Sequence, residues 1–133
     1  MLCRAPAAQT IMLTTGFAGE ELDRAAGAAK TCDTVVFGLF MRVRTYDQNA
    51  IAIDRRYGDL IRTVASWGKQ VVVCNFRNPW TVRELPKAAV CLCSFSDAED
   101  SIEAAAQVLF GEISAKERLP ITISPDYPFG YGL

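Results

Sequence analysis

The chain has 133 residues, half of them hydrophobic and 22% charged, with a net charge of −1. That length suits one domain with a single substantial core, and the apolar content excludes an intrinsically disordered chain. The 14 Lys and Arg and 15 Asp and Glu are scattered, which excludes a basic nucleic-acid stripe or a charged membrane face.

In chain order, residues 9–15 hold Ile-Met-Leu-Thr-Thr before Gly16 and read as a first strand. Residues 20–30 are Ala-rich, acidic at the start and basic at Lys30, as a helix dipole favours. Residues 34–41 are a near-continuous apolar run with β-branched and aromatic members, which is the pattern of a strand buried on both faces. Residues 50–67 carry apolar side chains at approximate helical spacing and stop at Gly68. Residues 71–76 form a second buried strand, 80–85 at most a short helix before Pro86, and 88–95 a third buried strand. A helix is expected over 97–110, closed by Gly111, with Asp97, Glu99 and Asp100 capping its start and offsetting its dipole. Residues 119–123 read as a last short strand.

Strands alternating with helices specify a three-layer α/β sandwich with a mostly parallel sheet of five to six strands, in a flavodoxin-like arrangement. Residues 1–133 are expected to form one such domain. No apolar run approaches the roughly 20 residues that cross a bilayer. The start, Met1-Leu-Cys-Arg-Ala-Pro, lacks a signal-peptide pattern. As written, the sequence reads as a soluble cytoplasmic polypeptide.

The chain has no histidine, which removes Ser-His-Asp and Cys-His nucleophile systems, His-based zinc sites and any imidazole acid or base. Five cysteines without regular loop spacing argue against a disulfide framework. Cys91 and Cys93, two apart in a strand, share one face. A metal site would need further ligands, so these thiols read as small apolar residues and no metal or cofactor is expected.

In open α/β sheets ligands gather beyond the carboxyl ends of the strands. The loops there are Thr14-Thr-Gly-Phe17, Arg42-Val-Arg-Thr-Tyr-Asp47, Asn75-Phe-Arg-Asn-Pro-Trp80 and Ser94-Phe-Ser-Asp97. None has the glycine spacing of a phosphate-binding loop. The densest cluster is Asn75, Arg77, Asn78 and Trp80. It reads either as a Pro-directed turn with the Trp on the sheet edge, or as a rim meeting a neighbouring domain or a sugar. Arg42 and Arg44 are either solvated charges or partners for acidic groups on another surface. Asp97 completes the candidate rim.

The segment Ala104-Ala-Ala-Gln-Val-Leu-Phe-Gly-Glu112, then Arg118-Leu-Pro-Ile-Thr-Ile123, then Tyr127-Pro-Phe-Gly-Tyr-Gly-Leu133 resembles the close of the second, α/β domain of family 3 glycoside hydrolases. Asp33-Thr-Val-Val-Phe-Gly-Leu39, Val71-Val-Val-Cys-Asn-Phe-Arg-Asn-Pro-Trp80 and Leu85-Pro86 are similar to earlier parts of that domain. The Asn-x-Arg-Asn-Pro-aromatic form is closer to the bacterial β-N-acetylglucosaminidase branch than to the β-glucosidase branch.

The resemblance implies an accessory domain that packs on a catalytic N-terminal barrel, absent from these residues, and that is inactive alone. It implies no cofactor. In the β-glucosidase branch this domain lends an acid/base glutamate, but the matching loop, Arg42-Val-Arg-Thr-Tyr-Asp-Gln48, has none. The other branch keeps nucleophile and acid on its barrel. Glycoside hydrolysis needs two opposed groups, one protonated and one ionised. Nothing in the sequence pairs Asp47 with Asp97 in that way. The competing readings are a free-standing sugar- or small-ligand-binding module, and an assembly domain that self-associates through exposed Trp80 and Phe129.

Overall fold

The computed structural model describes residues 4–14, 19–40, 53–87 and 89–132. Its elements are α1 (Gly19–Lys30), β1 (Thr34–Phe40), α2 (Arg55–Ser66), β2 (Gln70–Phe76), a 3-10 helix (Pro79–Glu84), β3 (Val90–Ser94) and α3 (Glu99–Leu109).

The three strands form a parallel sheet in the order β1-β2-β3. Side chains alternate across it. Val35, Phe37 and Leu39 of β1, Val71 and Val73 of β2 and Cys91 of β3 pack with Ala29 of α1 and with Ile61 and Val64 of α2. Val72, Cys74 and Phe76 form the opposite face with Val36, Leu92 and, from α3, Ala105 and Leu109. Two apolar layers therefore sandwich the sheet. The α/β class with a parallel sheet is as the sequence implies.

Helix ends follow local chemistry. Asp54 caps α2, its carboxylate accepting from the Arg56 backbone N–H at 2.9 Å. At the end of α3, Gly111 takes φ 72°, its N–H donating to the Val108 carbonyl and that of Glu112 to the Gln107 carbonyl. This paired closure favours a residue without Cβ. Gly38 serves a different need. A Cβ there would lie 3.3 Å from the Phe40 ring, which stacks on Phe76 with centroids 4.6 Å apart.

Several expectations need correction. Three strands are described, not five or six. Residues 9–14 enter no ladder, and Met12 among them is 78% exposed. An apolar β-prone run makes a strand only when a neighbour accepts its backbone groups. Residues 119–123 likewise are not a strand. Leu119 exchanges backbone hydrogen bonds with Tyr131 and Gly130, Ile123 donates to Tyr127, and Ser124 makes an isolated antiparallel bridge with Tyr127. The tail closes on itself instead of joining the sheet. Of the expected strands buried on both faces, β2 is fully so, because among the described strands it alone has a neighbour on each side.

Candidate functional site

The parallel register places Phe40, Phe76 and Ser94 side by side, so the carboxyl ends of all three strands are level. Strand order runs in sequence and does not reverse among the described strands. Among the described strands the rim therefore lacks the crevice that a reversal makes.

Asn75, Arg77, Asn78, Trp80 and Asp97 all gather at this edge. Asn75 and Asn78 are 2% and 1% exposed. The Asn75 amide Nδ2 donates to the Asn78 carbonyl at 2.7 Å, and the Thr81 hydroxyl donates to the same carbonyl at 3.0 Å. The Asn78 side-chain oxygen accepts from the Trp80 N–H at 3.2 Å and caps the 3-10 helix, whose first residue is Pro79. These bonds satisfy buried polar groups and hold the loop rigid. Asn75 Oδ1 is buried and has no hydrogen-bond partner among the described residues.

Arg77 sits between the asparagines with φ 75°. A non-glycine residue held there costs about 1 kcal/mol, so its neighbours must enforce it. Its N–H donates to the Ser94 carbonyl at 3.1 Å, and the Asn78 N–H donates to the Phe76 carbonyl at 3.1 Å. Its guanidinium donates to the Asp97 carboxylate at 3.0 Å. The strained turn thus ties β2 to the loop after β3 and presents a charged pair at the surface.

Asp97 was expected to cap α3 but instead pairs with Arg77. The N-cap position belongs to Ala98, which makes no side-chain cap bond. The Ser96 hydroxyl accepts from the Ala98 N–H at 3.1 Å, and the Ser94 hydroxyl donates to the Ser96 carbonyl at 3.0 Å. Glu99 and Asp100 do lie in the first turn. Sequence reasoning missed Ser94, Ser96 and Thr81. The hydroxyl following Asn78-Pro79 by two residues was the available signal for Thr81.

Phe40 ends β1, Trp80 lies in the 3-10 helix after β2 and Phe95 follows β3, and they are 54%, 40% and 44% exposed. The strand-end edge therefore combines exposed aromatics with a buried polar turn and an exposed ion pair. Trp80 is 40% exposed on a Pro-directed turn, an arrangement compatible with both readings of the sequence. Arg42, Arg44 and Asp47 lie outside the described residues.

The Asp54 carboxyl is held below its ordinary range by hydrogen bonds from Arg56, and Glu103 and Glu112 by the Arg4 guanidinium. Among the described residues, no group of three or more His, Cys, Asp or Glu converges as a metal site. No helix among them is long and apolar enough to cross a membrane.

Comparison with known families matches residues 5–132 to the glycosyl hydrolase family 3 C-terminal domain. No curated protein and no solved structure matches the chain.

Proposed function

The chain belongs to the glycosyl hydrolase family 3 C-terminal domain family, and from that premise we propose that it is an accessory domain presenting its strand-end rim to a catalytic barrel. The observation that carries this reading is the rim itself. Three exposed aromatics and the Arg77–Asp97 pair lie at or just beyond the strand ends, and buried Asn75 and Asn78 hold the loop in a fixed shape. Exposed apolar groups grouped at one edge favour a macromolecular contact. Arg and Trp are the residue types that dominate such contacts energetically.

In this reading the barrel supplies nucleophile and acid. The rim excludes water from one side of the sugar site and fixes its shape. Arg77 and Asp97 orient the two domains, and Trp80 is the apolar anchor. Arg42 and Arg44, which follow β1 in the sequence, belong to the same contact. The Asn75-Phe-Arg-Asn-Pro-Trp80 sequence favours the β-N-acetylglucosaminidase type over the β-glucosidase type. Exposure of Phe40, Trp80 and Phe95 also favours a second reading, self-association through the same edge when no barrel is present.

The test is an assay with chromogenic N-acetylglucosaminide and glucoside. The chain alone is expected to hydrolyse neither. A family 3 barrel expressed without its own second domain should gain activity when the chain is added, and Trp80→Ala should reduce that gain. Hydrolysis by the chain alone, abolished by Asp97→Asn, would refute the proposal.

A further inference from the structure

Two features of the chain at the end of β2 cost free energy, and they lie within three residues of each other. The Asn78 N–H donates to the Phe76 carbonyl at 3.1 Å, a bond that spans two residues with Arg77 at its centre. With φ 75° at Arg77 this is the rarer, strained form of the γ-turn, which glycine adopts more readily than arginine. Two positions earlier, Asn75 is 2% exposed and its Oδ1 accepts no hydrogen bond from the described residues. A strained dihedral and an unsatisfied acceptor thus occupy one turn.

We propose that the peptide between Phe76 and Arg77 is a two-position switch, closed in this structure and open when its plane turns over. Turning it carries the Arg77 φ to the negative side that suits any residue with a Cβ. It also swings the Arg77 N–H away from the Ser94 carbonyl, its acceptor at 3.1 Å, and towards the Asn75 side chain. A side-chain oxygen accepting from the backbone N–H two residues on makes an Asx-turn, a local bond that asparagine favours. The Asn75 amide already reaches over the loop, its Nδ2 donating to the Asn78 carbonyl at 2.7 Å. The open form therefore relieves both defects of the closed one. In exchange it gives up the γ-turn bond and the link from Arg77 to Ser94, and it loosens the 3.0 Å ion pair of Arg77 with Asp97.

The surroundings confine the motion to that peptide. After Arg77, the Asn75 amide and the Thr81 hydroxyl hold the Asn78 carbonyl, and Asn78 Oδ1 holds the Trp80 N–H. Before it, β2 is paired on both sides as far as Phe76. What opens is the tie between the end of β2 and the loop after β3. Asp97 sets the balance, because its grip on the guanidinium favours the closed turn. A partner group that draws either charge of the pair away favours the open one. The proposal is independent of the accessory role, since every part of the switch lies within this chain.

The experiment is nitrogen-15 relaxation dispersion on the backbone amides of the purified chain, which reads microsecond-to-millisecond exchange. Exchange is expected at residues 76–78 and 94–97 and not at residues 71–74. Arg77→Ala and Arg77→Gly both delete the ion pair, yet they should act in opposite directions. Alanine keeps the strain, so exchange should rise. Glycine removes the strain, so the open population should be about tenfold lower than with alanine. Asp97→Asn leaves the turn itself intact and should raise exchange as alanine does. Adding Asn75→Val to Arg77→Ala removes the alternative acceptor and should quench the exchange. Should that double variant fail to fold, the opposed effects of alanine and glycine still decide. Silent amides in both the unmodified chain and Arg77→Ala, exchange in Arg77→Gly that equals or exceeds that in Arg77→Ala, or exchange that survives Asn75→Val would overturn the proposal.

Discussion

In β2 every residue from Val71 through Phe76 is buried, with a strand on each side and helices above and below. The tail, by contrast, is tied mainly to itself. The Arg118 guanidinium donates to the Gly130 and Gly132 carbonyls, the Phe129 N–H donates to the Thr122 hydroxyl, and Tyr127 meets Tyr131 edge to face at 5.4 Å. Yet the tail carries much of the family's recognisable pattern and leaves Phe129 73% exposed. Recognisability and stability thus reside in different places. Burial in β2 supplies the driving force, while the tail keeps a shape through hydrogen bonds that water also offers.

The largest expected effect breaks the buried region. Ile61, 1% exposed where α2 covers β2, should lose about 2–5 kcal/mol on Ile61→Ala in urea unfolding. Phe129→Ala in the tail should stay within about 0.5 kcal/mol. Equal losses at both positions would erase the contrast.

Asn78→Ala is expected to cost about 1–2 kcal/mol, because it removes the oxygen that caps the 3-10 helix at Trp80. Retained stability in the same unfolding experiment would show that the hinge is not held by that bond.

Arg77→Gly separates fold from contact. Glycine relieves the positive φ but adds freedom to the unfolded chain, and the exposed pair with Asp97 contributes about 0–1 kcal/mol. Stability should change by no more than about 1 kcal/mol, while activation of a barrel should fall.

The smallest effect concerns pH. Arg4 donates to Glu103 at 3.1 Å and to Glu112 at 3.0 Å, which holds both carboxyls below their ordinary value of 4.5. The unfolded chain then takes up protons at higher pH than the folded one. The clamp's contribution is complete above about pH 4.5 and is lost as pH falls through the lower folded values. Arg4→Ala should flatten the acid side of a stability-versus-pH curve, and an unchanged curve would show that the clamp is silent.

The same contrast explains what the sequence disclosed. β1 and β2 were legible because continuous β-branched and aromatic runs have few other places to go. Both helix stops at glycines were legible because positive φ selects that residue, as Gly68 and Gly111 show. Residues 9–14 and 119–123 have strand-like composition, but composition does not reveal whether a neighbouring edge is open. At the rim, Asn78-Pro79 announced a fixed turn. Nothing announced an arginine at positive φ, since Arg77 is held there by Ser94 and Asp97, 17 and 20 positions away. Asp97 beside a helix start looked like a cap for the same reason. Its real partner is distant in sequence.

Hydrogen exchange on the chain, with and without a family 3 barrel that lacks its own second domain, tests the docking face most directly. The account predicts added protection at residues 75–81 and 94–97, with the tail unchanged. Protection confined to the tail, or none at the strand ends, would contradict it.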